Sequence, residues 1–475
     1  MDLDDYDTLV NKKGDEGSEL LAKIFAPTLR NNGFVEVVQE GMNGVAGLRI
    51  PRGHVGVVHS SMGDPGEMNA AAYAASVITR LVQQAKALGA KPVGLADEIN
   101  TQTGDTGLLR VVADAMVERA NHHQLAILNG ENALLGSRVT TDANIVGTMI
   151  SILREDALPS DRDGVYTFFD PQGRLAWINS DGQGTKAEFH ERAKRYHLAL
   201  EDSVAMKLDD TIKRGAQPVV VSDIVEIHGT LSFSQFSSYA HQLSLELGIP
   251  YMVQGELHSS RIAGYRPGLS AFNVGGSVVS LIDEERLKNP LHPSEGEYLV
   301  AVKGRPNPRS NGITDLRKIM IAWLGENWHQ TGEGKKYLKF LSAPSTILYP
   351  AFRELVDERL ATSVYHLSGG AYNGKLAKPL AKAGLFAPIH DLFPPAEEAR
   401  VLAEKLGGTT ASWYAKWPMG TDGFVTTNDV HETISRLRKH GLEGRVVARL
   451  QTAREKSGVE LTAYNGEKVY FSGRK

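Results

Sequence analysis

The sequence predicts an α/β (α+β) fold with two tandem repeats of one unit, followed by a different C-terminal α/β domain. The main observation is an internal duplication, in which Asp97 corresponds to Asp223, 126 positions later, within related segments. Further along, Glu131 corresponds to Glu256, 125 positions later. Near-constant offsets over separated blocks indicate a duplicated domain.

Strand-like and helix-like segments alternate within each copy, which is the second observation. In the first copy we expect a strand near Val55 and further elements, namely helices over 68–88 and 106–120 and strands over 92–96, 125–129 and 144–153. The second copy repeats this order from Leu175 to Ile282. An amphipathic helix over 18–29 precedes both copies, and the AsnGly pair at Asn465 predicts a hairpin near the end of the chain.

Polar connectors with Pro and Gly separate the units. We expect four regions: an N-terminal segment 1–50, a first repeat 51–155, a second repeat 174–285 and a C-terminal domain 296–475. Two copies of one domain tend to pair about a pseudo-twofold axis, as homodimers do. The sequence therefore predicts an intramolecular pseudo-dimer, and it leaves open whether two chains associate further.

The composition favours an ordinary globular protein. The hydrophobic fraction is 41%, the charged fraction 23% and the net charge −4, so no basic field indicates nucleic acid or an anionic membrane as a partner. The absence of cysteine excludes disulfides and thiolate chemistry. No secretory signal and no long apolar run are visible, and we expect a cytoplasmic protein.

The two copies differ at one polar loop. In the second copy, residues 181–186 read AspGlyGlnGlyThrLys, where glycines let backbone amides approach phosphate oxygens and Lys186 supplies positive charge. The first copy has no lysine in the corresponding loop, 59–66. We expect the loop of the second copy at the surface, although a tight turn with polar neighbours has the same composition.

Carboxylates cluster in the second copy. Asp209 and Asp210 follow one another near the end of a predicted helix, and adjacent hard oxygens suit Mg²⁺. Asp223 and Glu256 each follow an apolar run, where strands are expected to end and open α/β sheets bind ligands. Exposed helix ends and helix caps carry similar residues, so both interpretations stay open.

Two patterns only partly match known sites. Residues 369–375 have the glycine and lysine spacing of a phosphate-binding P-loop, but Leu376 replaces the metal-binding Ser or Thr and Pro379 interrupts the expected helix. His190 begins a zinc-protease-like pattern, but Lys194 occupies the second histidine position. Neither pattern predicts the site that it imitates.

Taken in order, several segments resemble the motifs of the aminoimidazole ribonucleotide synthetase family, also called phosphoribosylformylglycinamidine cyclo-ligase. The loop 181–186 is similar to the family's Asp-Gly-Val-Gly-Thr-Lys. The other similar segments are ValAlaMetLysLeuAspAsp (204–210), GlyAlaGlnPro (215–218), GlnGlyGluLeu (254–257), ArgSerAsnGly (309–312), TyrHisLeuSerGlyGlyAla (365–371) and TrpProMetGlyThrAspGly (417–423). The wider superfamily includes formylglycinamidine ribonucleotide synthetase, thiamine-monophosphate kinase, selenophosphate synthetase and a hydrogenase maturation factor.

The resemblance implies an ATP-dependent cyclo-ligase of purine biosynthesis type, with ATP and Mg²⁺ bound where two ATP-binding domains pair and with a phosphorylated small molecule as substrate. It implies ATP-binding residues Asp181, Gly182, Gly184, Thr185, Lys186 and Asp223. It implies substrate-binding residues Asn311, Ser368, Gly369 and Gly370. It implies catalytic residues Lys186, Asp210 and His366, and metal ligands Asp181, Asp210 and Glu256.

Departures from the family pattern leave the acceptor substrate open. Arg309 replaces a histidine, Asp209 replaces an asparagine and Ala371 replaces a third glycine. A superfamily kinase or another ATP-dependent ligase is one alternative, and a non-catalytic nucleotide-binding relative is the other. The first repeat retains Asp97 and Glu131 without the lysine loop, so we expect its own site to be idle.

Overall fold

The computed structural model describes residues 17–39, 45–63, 69–158, 164–266 and 268–473. These residues form two compact units. Unit 1 contains the described residues up to Glu188 together with Ala216–Lys288, and unit 2 contains Phe189–Gly215 together with the described residues from Asn289. Residues 1–16 of the predicted N-terminal segment and residues 64–66 of the first-copy loop lie outside the described residues.

Unit 1 is built from two sheets and the helices on them. The strands are β1 Val35–Gln39, β2 Val45–Arg49, β3 His54–Ser61, β4 Lys91–Thr101, β5 Ala126–Leu134, β6 Ala143–Arg154, β7 Tyr166–Phe168, β8 Leu175–Gly182, β9 Gln217–His228, β10 Tyr251–Glu256 and β11 Ala271–Ile282. The helices are 17–25, Ala70–Ala87, Thr106–His122, Ser234–Leu247 and Glu284–Lys288, with short 3₁₀ turns at Ala26–Arg30, Gly136–Arg138, Glu155–Ala157 and Gly184–Lys186. Helix Ala187–Ala193 crosses the boundary between the units.

The two sheets share one topology, which confirms the predicted tandem repeat. The first has the strand order β5-β4-β6-β3-β7 and the second β10-β9-β11-β8-β2-β1. In both, the first two strands are parallel and the next two contacts are antiparallel. Strands β3, β4, β5 and β6 therefore correspond to β8, β9, β10 and β11.

Local signals explain where the first-copy helices begin. Asn69 caps helix Ala70–Ala87 by accepting a hydrogen bond from the amide of Ala72, and Asp105 accepts from Gly107 at the start of helix Thr106–His122. Both helices bury one apolar side against the first sheet, including Val77 and Leu81. Burial of such a side chain contributes about 1.5–3 kcal/mol.

The other faces of the two sheets pack against each other inside unit 1. Val58 and Ile150 of the first repeat share an apolar core with Ile178 and Val279 of the second. Across this contact the Ser60 hydroxyl is 2.8 Å from that of Ser222. The two repeats are thus packed face to face in one chain.

Unit 2 contains two four-stranded sheets. Its strands are β12 Tyr298–Lys303, β13 Ala361–His366, β14 Leu385–Ile389, β15 Gly423–Thr427, β16 Glu443–Arg449, β17 Gln451–Thr452, β18 Gly458–Thr462 and β19 Lys468–Phe471, in the orders β13-β15-β12-β16 and β17-β14-β18-β19. Its helices are Ala199–Ile212, Ile313–Leu324, Gly332–Leu341, Tyr349–Asp357, Lys378–Lys382, Glu397–Leu406, Thr410–Lys416 and Val430–Lys439, with 3₁₀ turns at Tyr196–Leu198 and Trp328–Gln330 and a π-helical turn at Tyr372–Ala377. The hairpin predicted at Asn465 is confirmed by the antiparallel pair β18 and β19.

Two features of the second copy differ from expectation. Asp223 lies inside β9, which continues to His228 because β11 pairs with it along that length, so the predicted strand end at Asp223 is wrong. Helix Ala199–Ile212, which the sequence boundaries assign to the second repeat, belongs to unit 2, and all its residues except Asp210 are buried.

Among the described residues, no helix has the length and apolar character needed to span a membrane.

Candidate functional site

The polar loop of the second repeat continues a strand into a helix. Asp181 and Gly182 end β8, and Gly184–Lys186 form a 3₁₀ turn that leads into helix Ala187–Ala193. Gly184 has φ +61°, a left-handed conformation that favours glycine. The glycine spacing of the loop therefore reflects the sharp turn between the two elements.

The expected surface position of this loop is wrong. Lys186 is fully buried, and Gln183 is only 1% exposed. The 3₁₀ turn directs both Thr185 and Lys186 inwards, because the segment joins a buried strand to a packed helix. Burying an ammonium group costs free energy unless the group is paired. The burial of Lys186 is therefore not that of an ordinary solvated surface lysine.

Asp181 and Asp223 lie on one face of the second sheet. Gly276 of β11 pairs with Asp181 on one side and with Asp223 on the other, so the two carboxylates are two strands, or about 10 Å, apart. A methyl group at Gly276 would collide with Asp223. The Tyr251 hydroxyl donates to Asp223 Oδ2 at 2.7 Å, and burial together with that carboxylate raises the pKa of Tyr251.

Glu256, a predicted metal ligand of this repeat, lies away from Asp181 and Asp223. Glu256 pairs with Glu226, three residues beyond Asp223, so the alternation of a strand places Glu256 on the opposite face from Asp181. No group of three His, Asp or Glu side chains suited to a metal occurs among the described residues. The assignment of Asp181, Asp210 and Glu256 as Mg²⁺ ligands stays a prediction.

In unit 2 the sequence-adjacent Asp209 and Asp210 have different partners. Asp209 is fully buried and receives the guanidinium of Arg309 at 2.9 Å. Its other oxygen accepts from the amides of Leu348 and Tyr349, both at 2.9 Å, at the start of helix Tyr349–Asp357. Burial raises the pKa of Asp209 to about 7, against the opposing effect of Arg309. Asp209 therefore serves as a helix cap supplied from another helix.

Asp210 faces three nitrogen groups. His366 Nε2 is 2.8 Å from Asp210 Oδ1, the ammonium of Lys213 contacts the same oxygen, and that of Lys375 is 3.7 Å from Oδ2. Burial alone would raise the pKa of Asp210, but the two lysines outweigh it and keep the pKa well below its usual range. Asp210 thus lies among positively charged and nitrogen-bearing side chains.

The contacts of His366 indicate which of its ring nitrogens carries the hydrogen. Nδ1 lies 3.4 Å from the Arg309 guanidinium, which only donates, so Nδ1 accepts and the hydrogen is on Nε2, directed at Asp210. Burial lowers the pKa of His366 to about 3. The imidazole is therefore neutral at physiological pH.

A neutral buried histidine predicts acid sensitivity. The unfolded chain binds a proton near pH 6.5 and the folded chain only near pH 3, so this stability is present above pH 6.5 and is lost as the pH falls. Between pH 7 and pH 5, the free energy of unfolding of the wild type should fall by about 2 kcal/mol relative to that of His366→Asn. Urea denaturation at both pH values measures this change, and the exposed His431→Asn variant is the control. An equal fall in the free energy of unfolding between pH 7 and pH 5 for the wild type and both variants would contradict the assignment.

Predicted substrate residues surround this cluster. Asn311 donates from Nδ2 to the Leu367 carbonyl at 3.1 Å, and the Ser368 hydroxyl lies 3.3 Å from His366 Nε2. Gly369 and Gly370 follow as an exposed turn. The structure thus brings Asp210, His366, Asn311 and Ser368 together from three separate segments.

The residue after this turn carries backbone strain. Ala371, which replaces the third glycine of the family pattern, is buried and has φ +37°, a conformation that glycine adopts more easily. Strain of this kind concentrates at functional sites.

The sequence did not identify two cations of the cluster. The sequence motifs assign no role to Lys213, and Lys375 belongs to the segment 369–375, which only partly matches a P-loop. That pattern fails as a P-loop in the structure, since a π-helical turn over Tyr372–Ala377 and a helix with Pro379 in its first turn follow the glycines. Its lysine nevertheless reaches Asp210, so the spacing was a usable signal.

Solved structures to which this fold is similar are distant in sequence. Thiamine-monophosphate kinase from Stenotrophomonas maltophilia is 12% identical, covering 65% of this chain and 91% of that one, with a TM-score of 0.42. The hydrogenase maturation protein HypE from E. coli is 16% identical, covering 66% and 90%, also with 0.42. T. maritima PurL complexed with ATP is 16% identical, covering 62% and 43%, with 0.37.

No family model matches the chain. Curated relatives named phosphoribosylformylglycinamidine cyclo-ligase do. The protein from Thermoplasma acidophilum is 24% identical over 295 residues, covering 60% of this chain and 82% of the relative, and that from Thermoplasma volcanium is 24% identical over 228 residues, covering 46% and 64%. The match thus spans most of the first relative and just under two thirds of the second. The motifs and these relatives thus agree: the chain is similar in sequence to the aminoimidazole ribonucleotide synthetase family.

Proposed function

We propose that the protein is an ATP-dependent cyclo-ligase that acts on formylglycinamidine ribonucleotide or a similar phosphorylated small molecule. The observation that carries the proposal is the convergence of Asp210, His366, Asn311 and Ser368 in unit 2, since the family resemblance assigns all four to the reaction. The intact polar loop of the second repeat supports the same conclusion.

The reaction has two balanced steps. The amide oxygen of the acceptor attacks the γ-phosphorus of ATP, the bond to the bridging oxygen breaks, ADP leaves, and the amide nitrogen loses its proton to solvent. An amine nitrogen of the same molecule then attacks the activated carbon, the carbon–oxygen bond breaks, and the ring closes as the proton of that nitrogen leaves with the phosphate. Such transfers depend mainly on positioning and charge neutralisation.

The roles of individual residues follow from their type and place. Lys186 would neutralise charge on the triphosphate, and Asp181 and Asp223 would border the nucleotide on the face of the sheet that they share. Magnesium would arrive as the counter-ion of ATP, since Mg²⁺ in such sites keeps few protein ligands and relies on substrate phosphates. Neutral His366 would donate a hydrogen bond from Nε2 to the acceptor, without losing the proton; at rest this hydrogen is directed at Asp210.

The cation excess around Asp210 supports an anionic acceptor. Lys213 and Lys375 share the single carboxylate of Asp210, so the lysine cations outnumber the carboxylate that they contact. The side chains of Lys213 and Lys375 are 29% and 26% exposed, so a solute can reach them. We assign these lysines to the anionic group of the acceptor.

Lys375→Met should therefore raise the KM for formylglycinamidine ribonucleotide about tenfold, equivalent to about 1.4 kcal/mol, while leaving the KM for ATP unchanged. Lys378→Met, at an exposed position three residues along, is the matched control. Initial-rate measurements with each substrate varied in turn separate the two constants. A change confined to the KM for ATP would contradict the assignment.

The function itself is tested by ADP release from the full chain with Mg·ATP. ADP formed only with formylglycinamidine ribonucleotide supports the cyclo-ligase. ADP formed only with a different acceptor would instead indicate a superfamily kinase or another ligase. A protein that binds ATP in calorimetry but releases no ADP with any acceptor would be a non-catalytic nucleotide-binding relative; this result, or no ATP binding at all, would overturn the proposal.

A further inference from the structure

A pair of glycines in the second repeat faces a carboxylate of the first. Gly182, which belongs to the polar loop, pairs with Gly275 across strands β8 and β11. A methyl group built on either glycine would overlap the carboxylate of Glu98. Both positions must therefore lack a side chain for Glu98 to occupy this place.

Glu98 is fixed where it lies. It belongs to β4 of the first repeat and is only 2% exposed. The Asn100 side chain donates to Glu98 Oε1 at 2.9 Å. Because residues 98 and 100 share one face of the strand, this hydrogen bond holds the carboxylate on the side that faces the second sheet.

A second residue of the first repeat contacts the same strand. Asn129 of β5 accepts a hydrogen bond from the backbone amide of Ser180 at 3.3 Å, immediately before Asp181. The first repeat thus contacts the second at two places. Asn129 contacts the strand just before the loop, and Glu98 lies against the loop itself. Asp181 lies between these contacts, with its side chain on the other face.

We propose that Glu98 of the first repeat is a positioning residue that fixes the backbone of residues 181–186 in the second repeat. The inference rests on the proposed function, because that function requires the loop to be held in place before ATP binds. It also gives the first repeat, which lacks a lysine loop, a direct part in the site of the second.

Hydrogen exchange of the full chain without nucleotide tests the positioning. Glu98→Ala should accelerate exchange of a peptide covering 181–186 at least tenfold, and Glu98→Gln, which keeps the size and the acceptor for Asn100, should restore slow exchange. Asp97→Asn is the matched control, because Asp97 is equally buried on the same strand but faces Gly130. No acceleration in Glu98→Ala, or equal acceleration in Asp97→Asn, would overturn the proposal.

A double substitution tests the contact even if one variant unfolds. Gly275→Ala alone should lower the melting temperature strongly, because its methyl group overlaps Glu98. In the Glu98→Ala background the same methyl group enters vacated space, so the added loss should be much smaller. Additive losses of melting temperature would show that Glu98 does not lie against Gly182 and Gly275.

Activity distinguishes this inference from the proposed function. Glu98→Ala should lower kcat for ADP release at least tenfold, whereas Glu98→Gln should remain within about threefold of the wild type. If the wild type releases no ADP, the proposed function fails, and the exchange experiment still decides the positioning. If Glu98→Ala and Glu98→Gln retain full activity in an active enzyme, the positioning role fails alone.

Discussion

Lys186→Met is expected to lower ADP release by about 10²- to 10³-fold, the range found when one charge-stabilising group is removed from a preorganised site. Methionine retains most of the apolar stem of a lysine side chain that is fully buried here, so the substitution removes the charge with little change in volume. The effect should fall on kcat, since charge on the transferring phosphoryl group develops in the transition state.

Steady-state ADP release, with the melting temperature as a check on folding, measures this effect. Lys194→Met, at an exposed position eight residues along, is the control and should keep wild-type activity. Because Lys186 is buried, a folded Lys186→Met with unchanged turnover is the decisive contrary result, and it would remove Lys186 from the phosphate site.

Arg309→Met should give the largest loss of stability. Arg309 and Asp209 are both fully buried, and removal of one partner leaves the other charge uncompensated, which typically costs about 3–5 kcal/mol. The loss should also weaken the start of helix Tyr349–Asp357, because Asp209 accepts from its first amides. Urea denaturation at pH 7, followed by circular dichroism, measures the change.

The control for Arg309→Met is an arginine with equally many partners at the surface. Arg436 contacts Glu354, Glu358 and Glu432, and its side chain is 31% exposed. Exposed pairs contribute about 0–1 kcal/mol, so Arg436→Met should change the free energy of unfolding far less. Equal losses in the two variants would mean that the Asp209–Arg309 pair contributes no more than a surface pair.

The duplicated topology could be predicted because the chain supplies its own comparison. Equivalent residues such as Asp97 and Asp223 identify corresponding strands even where neither copy resembles another protein. The end of β9 could not be predicted, since the apolar pattern stops near Asp223 while the strand continues on the pairing that β11 provides. The length of β9 is therefore set by its pairing with β11.

The site was predicted only in part for a related reason. Motif residues such as His366 and Asn311 are recognisable one by one, and the structure brings them together. The Lys213 and Lys375 pair is not recognisable, because residues 162 positions apart carry no shared local pattern. The face of Glu256 depends on whether an odd or even number of residues separates it from a paired position, which composition does not reveal.

The glycine pair and the carboxylate it accommodates are encoded at different places in one gene. In an assembly of identical chains, one codon change alters the same position in both copies, so the contact changes on both sides of the symmetry axis at once. Fusion of the copies removes this symmetry: Gly182, Gly275 and Glu98 can each mutate singly. Within one chain, the first repeat can therefore lack a lysine loop while its Glu98 still lies against the second repeat.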